Sequence, residues 1–90
     1  RPDTDRFPCL QMAREALKTG GSLPVALNGA NEEAVAAFLR ERIPFGQIAP
    51  IIEQTLSGTS RTEIRSIEDV YQADARARAL AKTIIGRLSC

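Results

Sequence analysis

Apolar residues recur at spacings of three and four along most of the chain, and glycine or proline interrupts this pattern at intervals. The clearest run is the last one, which includes Ala73, Ala77, Ala81 and Ile84. A period near 3.6 residues places such side chains on one face of an α-helix, whereas a half-buried strand alternates at every second residue. No segment alternates convincingly in that way. The pattern therefore predicts an all-α chain.

The interruptions divide this pattern into four predicted helices. They run from about Pro8 to Thr19, from Leu23 to Arg42, from Gln47 to Leu56, and from a start signal at Ser66–Asp69 to about Leu88. Short links keep successive helices adjacent in space. The prediction is one domain of four helices, arranged as a compact bundle or as a superhelical array.

Specific residues are expected to start and stop these helices. Gly20 and Gly21 end the first helix, because glycine accepts the left-handed backbone conformation found there. Ser22 is the expected N-cap of the second helix, and Pro44 stops it. The stretch Ser66-Ile67-Glu68-Asp69 is typical of a capping box at the start of the fourth. Asp74 could cap a second start inside that helix.

The predicted core is rich in alanine, which implies a close approach of the helices. In the first helix, the apolar stripe consists of Leu10, Ala13 and Leu17. In the second helix, Leu27, Ala30, Ala34, Phe38 and Leu39 form the inner face, while Glu32, Glu33, Arg40 and Glu41 face water.

The charge balance gives no support to binding of nucleic acid or of an anionic membrane. Twelve Lys and Arg face eleven Asp and Glu among the 90 residues. The chain therefore has almost no net field to attract a polyanion. Basic residues between Arg61 and Arg87 alternate with acidic ones, which is typical of a solvated face. No apolar run approaches the roughly 20 residues that a membrane span requires.

Most catalytic arrangements are absent from the sequence. The chain contains no His, which excludes an imidazole base and the usual zinc ligand sets. Cys9 and Cys90 lie too far apart in sequence to suggest a metal site. Adjacent carboxylates occur at Glu32 and Glu33, but neighbouring helix positions point about 100° apart and are not expected to converge. We predict no catalytic, cofactor-binding or metal residue.

A DNA-binding helix-turn-helix is also disfavoured. The second and third helices, with their short link, could imitate this motif. However, the segment between Gln47 and Ser60 contains no Arg or Lys that could contact phosphates.

The stretch Asn28-Gly29-Ala30-Asn31 places three poor helix formers within the second helix. Relative to alanine they cost roughly 2 kcal/mol of summed helix propensity, so we expect a compensating interaction. A helix break capped by Asn31, hydrogen bonding by both amides, and direct ligand contact are the three interpretations. Hydrogen bonding is favoured because Asn28 and Asn31 share one face, and Gly29 permits close approach of another backbone.

The chain resembles one known family along essentially its whole length. Four stretches contribute, in the right order: PDTDRFPCLQMAREAL, VALNGANEEAVAAFL, RIPFGQIAPIIEQTL and SIEDVYQADARARALA. Together they are similar to the C-terminal helical domain of 1-deoxy-D-xylulose 5-phosphate reductoisomerase. Each motif is weak alone, whereas the ordered set is specific. Gly29 stands where the family commonly has Ala.

The resemblance implies a four-helix bundle with a left-handed superhelical arrangement, in which residues 1–90 are a single C-terminal domain of a longer enzyme. That enzyme makes 2-C-methyl-D-erythritol 4-phosphate for the non-mevalonate isoprenoid pathway, using NADPH and a divalent cation, Mg or Mn. Its NADPH-binding and catalytic domains precede this segment and are its implied partners. The whole enzyme is implied to be a homodimer of the bacterial cytoplasm, or of the plastid in a plant or alga.

The expected role of this segment is to support the catalytic domain, without activity and without a bound cofactor of its own. Asn28, Asn31 and Glu32 are the candidate residues for hydrogen bonding, within the domain or across to the catalytic domain. The alternative is a free-standing helical protein-interaction module that presents an apolar groove to a partner helix. The length of the native reading frame distinguishes the two.

Overall fold

The computed structural model describes residues 8–88, except for the side chains of Pro8, Cys9, Leu10 and Met12. Within that range the chain forms four α-helices, which are α1 (Pro8–Thr19), α2 (Leu23–Leu39), α3 (Ile48–Ser57) and α4 (Ile67–Leu88). A short 3-10 turn at Phe45–Gln47 precedes α3, and residues 8–88 contain no strand. The all-α, four-helix prediction is confirmed. The predictions for Leu10, Cys9 and Cys90 lie outside the described residues.

Helix α2 is the central element, because it packs against α1, α3 and α4 and has the most extensive contacts of the four helices. Alanines line its inner face and that of α4, and the fully buried ones include Ala26, Ala30, Ala34 and Ala81. Side chains this small allow two helix backbones to come close together, so the alanine-rich pattern is explained by the α2–α4 contact.

A hydrophobic cluster lies where the C-terminal halves of α2 and α4 meet α3. Its buried members are Ala34, Ala37, Ile43, Ile51, Ala81, Ile84 and Ile85. Full burial of a side chain such as Ile51 stabilises a fold by about 1.5–3 kcal/mol. Pro50 occupies the first turn of α3, where its missing N–H is tolerated. This single cluster therefore anchors three of the helices.

Two of the predicted helix ends are confirmed in detail. Gly20 and Gly21 have φ angles of 75° and 60°, and the Gly20 N–H donates to the Ala16 carbonyl at 2.9 Å. At the start of α4, the Asp69 N–H donates to Ser66 Oγ at 3.2 Å. In return, Asp69 Oδ2 accepts from the Arg65 N–H at 2.9 Å, so the capping box forms one residue wider than the standard arrangement.

Ser22 precedes α2 as predicted, but its hydroxyl does not cap that helix. Instead, Ser22 Oγ accepts from the Thr62 N–H at 2.8 Å and donates to the Ser60 carbonyl at 3.4 Å. The Ser22 N–H also donates to the Thr62 carbonyl at 2.9 Å. Ser22 therefore joins the start of α2 to the loop before α4. Because that loop is about 40 residues further along the chain, the local sequence pattern does not predict this contact.

Helix α2 ends three residues earlier than predicted, at Leu39 rather than at Arg42. Glu41 adopts a left-handed φ of 59°, and its N–H donates to the Phe38 carbonyl at 2.9 Å. The Arg42 N–H donates to the Ala37 carbonyl at 2.9 Å. This pair of bonds is a Schellman motif, which normally has glycine where Glu41 stands. Because no glycine marks this position, the sequence pattern did not predict that the helix ends here.

Two leucines predicted to lie inside are exposed. Leu17 is 68% exposed and Leu39 is 73% exposed. In α1 the neighbouring Ala16 is the buried residue, and a rotation of about 100° per residue turns Leu17 away from α2. Leu39 is the last residue of α2, where the chain turns away. The predictions for both leucines were therefore wrong.

Candidate functional site

Helix α2 runs without interruption through Asn28-Gly29-Ala30-Asn31, so the proposed helix break at Asn31 is wrong. Helix α4 is likewise continuous past Asp74. Gly29 and Ala30 are buried, whereas Asn28 and Asn31 are exposed. The motif therefore has an inner half that packs and an outer half that faces away from the domain.

At Gly29, helix α2 packs closely against α4. A Cβ atom placed on Gly29 would lie 3.0 Å from Asp74 Oδ1 and 3.3 Å from Arg78 Cγ. The Asp74 carbonyl oxygen would lie 3.7 Å away. The expected close approach of another backbone is thus present, and the neighbouring element is α4.

Four charged side chains meet beside Gly29 and join the same two helices. Arg78 Nε donates to both carboxylate oxygens of Asp74, at 2.8 and 3.0 Å. Its Nη1 donates to Glu33 Oε2 at 3.0 Å, and its Nη2 donates to Glu32 Oε1. Glu33, Asp74 and Arg78 are half-buried, whereas Glu32 is exposed. We call these four residues the Arg78 cluster.

The electrostatics of the Arg78 cluster follow from its three carboxylates. The hydrogen bonds that Arg78 donates to Glu32, and then those to Asp74 and Glu33, raise the pKa of Arg78 above its usual value. Arginine is already protonated at any pH that proteins tolerate, so this group does not titrate in practice. The half-buried pair with Glu33 stabilises the α2–α4 contact more than the exposed pair with Glu32, which water screens, whereas the pair with Asp74 lies within α4.

The convergence of Glu32 and Glu33 corrects the sequence analysis, which expected adjacent carboxylates to point apart. The guanidinium of Arg78 is a wide fork with several donors, so it can bind both acids from a neighbouring helix. Arg78 is correspondingly not part of a purely solvated face. The spacing of four residues between Asp74 and Arg78 predicts an ion pair within α4, but it does not identify the partners of Arg78 on α2.

Asn28 and Asn31 lie beside two shallow grooves on the outer side of α2. The residues along the first groove are Pro24, Val25, Asn28, Val70, Tyr71 and Asp74. Those along the second are Ala13, Pro24, Leu27, Asn28, Asn31 and Ile52. No side-chain hydrogen bond to either asparagine is found among residues 8–88. We call the surface formed by Pro24, Asn28, Asn31 and Tyr71 the amide face.

Of the three residues predicted to form hydrogen bonds, Glu32 has a side-chain partner within residues 8–88. Glu32 bonds to Arg78 within the domain. The two asparagines present free amide groups to the outside of the described structure, and a bond from them to another domain stays a prediction.

Within residues 8–88 no group of three acidic, histidine or cysteine side chains is arranged to hold a metal ion. Nor is any helix in that range long and apolar enough to cross a membrane.

Comparison with known proteins gives a consistent result. The family described as DXP reductoisomerase C-terminal domain matches residues 1–80. The 1-deoxy-D-xylulose 5-phosphate reductoisomerase of Ectopseudomonas mendocina is 52% identical over 87 residues, which is 97% of this chain and 22% of that protein. The enzyme of Nitrosomonas eutropha is also 52% identical, over 90% of this chain and 20% of its own length. The chain thus spans about a fifth of the relatives that it matches.

A solved structure supports the same grouping. The 1-deoxy-D-xylulose 5-phosphate reductoisomerase of Zymomonas mobilis in complex with NADPH superposes with a TM-score of 0.88 and 45% sequence identity. The match covers 93% of this chain and 22% of that one. The sequence motifs, the helix order and the three-dimensional arrangement therefore agree, and the chain belongs to the family of DXP reductoisomerase C-terminal domains.

Proposed function

We propose that the chain works as the C-terminal domain of a 1-deoxy-D-xylulose 5-phosphate reductoisomerase and supports the catalytic domain without activity of its own. The main supporting observation is how much of each protein the sequence match covers. The match takes in 97% of this chain but only 22% of the Ectopseudomonas mendocina enzyme. A segment of that size corresponds to one domain of the longer enzyme, in which the rest of the chain provides the reaction chemistry.

NADPH and the divalent cation are proposed to bind outside this segment. The densest group of carboxylates among the described residues is the Arg78 cluster, and there the guanidinium already occupies the position that a cation would take. A metal ion would have to displace Arg78, which also bridges α2 and α4. The described residues therefore do not fit the metal, and we derive no reaction step through it.

Asn28 and Asn31 are proposed to hydrogen-bond across to the rest of the enzyme, while Glu32 holds the outer face of α2 to Arg78. Two exposed amides inside a helix lower its intrinsic stability relative to alanine. No compensating bond to them is found within residues 8–88. A partner outside the segment would supply it. Replacing Asn31 by Ala in the intact enzyme should then lower turnover while leaving the helix intact.

The working enzyme is further proposed to be a homodimer of the bacterial cytoplasm. The support is the family resemblance together with relatives from Ectopseudomonas and Nitrosomonas. The alternative, a free-standing interaction module, predicts a native reading frame that starts near Arg1. An upstream Gly-rich NADPH-binding turn in the same frame would exclude that alternative.

The test of this role is an NADPH-oxidation assay with the substrate and a divalent cation. We expect turnover by the intact chain and none by the 90-residue segment. Adding the separate segment to the remaining part of the chain should restore some activity if the two parts reassociate. Turnover by the isolated segment would contradict the proposal, as would full activity of a chain from which the segment has been deleted.

A further inference from the structure

We infer that a cleft near the C-terminal ends of α2 and α4 binds a small molecule that carries phosphate groups. The cleft has a volume of about 280 Å³, and its walls include Glu33, Ala37, Arg40, Arg42, Lys82 and Ile85. We call it the basic cleft. The inference goes beyond the proposed function, because it concerns a ligand of this domain rather than its support of the catalytic domain.

The local charge of the basic cleft is the first observation. Arg40 and Arg42 follow the end of α2, and Lys82 lies on α4, so three cations border one cavity. Among the described residues, Glu33 is the acid that lines it, and Glu33 Oε2 already accepts from Arg78 Nη1 at 3.0 Å. The other two carboxylates of the Arg78 cluster do not line the cleft. Positive charge therefore exceeds negative charge at this cavity, which favours an anion there.

Two of these cations have no partner within the domain. No side-chain hydrogen bond or ion pair of Arg40 or Lys82 is found among residues 8–88. Nor are these side chains needed to satisfy the end of α2, because its last carbonyls accept the backbone N–H groups of the Schellman motif. Both charged groups are thus available to a ligand.

The kinds of donor at the basic cleft suit phosphate. The guanidinium fork of arginine can donate to two oxygens of one phosphate, and lysine adds a compact point charge. Three cations match a ligand with two or more negative charges, whereas a single carboxylate would leave most of that charge unpaired. The buried side chains of Ala37 and Ile85 also line the cleft, so part of its wall screens charge less than water does.

The size of the basic cleft limits the ligand. Pockets for small molecules have volumes of roughly 300–1,000 Å³, so this one suits a ligand at the small end of that range. A phosphate monoester or a diphosphate has the required charge in a small volume. The formal net charge of the whole chain is only +1, so no broad positive surface extends from the cleft to hold a long polyanion.

Lysine acylation of the intact reductoisomerase tests the inference at the cleft itself. Lys82 borders the cleft, and Lys18, which is exposed on α1, is the matched control. The enzyme is treated with acetic anhydride without divalent cations, in pyrophosphate, in inorganic phosphate, or in sodium chloride at equal ionic strength. Mass spectrometry gives the rate of labelling at each lysine. We expect pyrophosphate or phosphate to slow labelling of Lys82 several-fold and to leave Lys18 unchanged.

The ratio of the two effects identifies the form of the ligand. Stronger protection of Lys82 by pyrophosphate supports a diphosphate, and equal protection by the two anions supports a phosphate monoester. Arg40→Gln removes one cation from the cleft and should abolish the protection of Lys82. Arg14→Gln, at an exposed position of α1, is the matched control and should retain it. Turnover of both variants shows whether they are folded.

Three results would overturn the inference. The first is labelling of Lys82 that neither anion slows, and the second is protection that is equal at Lys82 and Lys18 or that survives Arg40→Gln. The third is a Lys82 that resists labelling in sodium chloride alone, because the cleft would then be closed in the intact enzyme. None of these results bears on whether the segment supports turnover.

Discussion

The glycines at positions 21 and 86 illustrate how differently one residue type can act in this chain. Gly21 has a φ of 60°, and a Cβ there would lie 2.5 Å from the Thr62 carbonyl oxygen. Gly86 lies inside α4, and a Cβ there would meet no described atom within 4 Å. Gly21 is required by the backbone and by its neighbour, whereas a side chain at position 86 would have open space around it.

The same substitution should therefore have opposite effects at these two positions. We expect Gly21→Ala to lower the free energy of unfolding by at least about 2 kcal/mol, because it adds a steric clash to an unfavourable left-handed conformation. Gly86→Ala should raise it by about 0.5–1 kcal/mol through helix propensity. Urea denaturation of the two variants measures both changes. A stable Gly21→Ala variant would show that the loop before α4 does not pack as described.

Among residues 8–88, Arg78 has the most extensive ion pairs, and its removal tests the Arg78 cluster. Arg78→Met keeps much of the side-chain volume but leaves Glu32, Glu33 and Asp74 close together without a cation. We expect a loss of about 1–2 kcal/mol in the free energy of unfolding, reduced from a fully buried pair by solvent screening. Because the raised pKa of Arg78 lies well above neutrality, the wild-type contribution should not decline between neutral and mildly alkaline pH.

The control for this experiment is a double-mutant cycle with Glu33→Gln. If Arg78 and Glu33 interact as described, Glu33→Gln should be less harmful in the Arg78→Met background than in the wild type. Strictly additive effects would mean that their contact does not contribute to stability. Arg78→Lys should give an intermediate stability, because an ammonium cannot reach three carboxylates with the geometry of the guanidinium fork.

At the scale of a helix and its ends, the C-terminus of α2 contains an avoidable strain. Glu41 occupies the left-handed position of a Schellman motif. Glu41→Gly should raise the free energy of unfolding by about 0.5–1 kcal/mol, since glycine has no Cβ to crowd the next carbonyl. Arg40→Gly is the matched control, because Arg40 has a negative φ of −91° and should gain nothing. Thermal unfolding of both variants gives the comparison, and an equal loss in both would contradict the assigned motif.

The start of α2 depends on a long-range contact rather than on a local cap. Ser22→Ala should lower the free energy of unfolding by about 1–3 kcal/mol, because it removes two part-buried hydrogen bonds, one accepted from the Thr62 N–H and one donated to the Ser60 carbonyl. Ser66→Ala, at the exposed cap of α4, should cost about 1 kcal/mol. Chemical denaturation would measure the two variants side by side. A Ser22→Ala variant as stable as the wild type would argue against the junction between Ser22 and the loop.

The helices could be predicted where the residues that define them lie close together in the sequence. The 3.6-residue pattern located all four described helices, Gly20 ended α1, and Ser66 with Asp69 started α4. The end of α2 was missed because Glu41 adopts a left-handed conformation, which is rare for glutamate and is not predicted from its residue type. Arg78 was missed as a bridging residue because the convergence of Glu32 and Glu33 depends on how α2 and α4 pack, which no local pattern records.

In the molecule as a whole, the polar side chains of one region are paired within the domain, whereas those of another region have no partner among residues 8–88. The interior between α2 and α4 is closed by alanines and by the Arg78 cluster. The amide face is open, with polar groups that have no partner among residues 8–88 and with an exposed Tyr71. This uneven distribution is what a domain that packs on a larger protein would show.

The central claim is that the outer asparagines serve the contact with the rest of the reductoisomerase, and Asn31→Ala tests it most directly. In the 90-residue chain this change should leave the free energy of unfolding unchanged or raise it by about 0.5 kcal/mol, since alanine is the better helix former. Gln54→Ala, which removes an exposed amide from α3, is the matched control.

The decisive measurement is the turnover of the two variants in the intact enzyme, with NADPH and substrate at saturation. We expect Asn31→Ala to lower turnover several-fold and Gln54→Ala to leave it unchanged, although neither variant should destabilise the helical domain. Wild-type turnover in the Asn31→Ala enzyme would contradict this role of Asn31, and so would an equal loss in both variants.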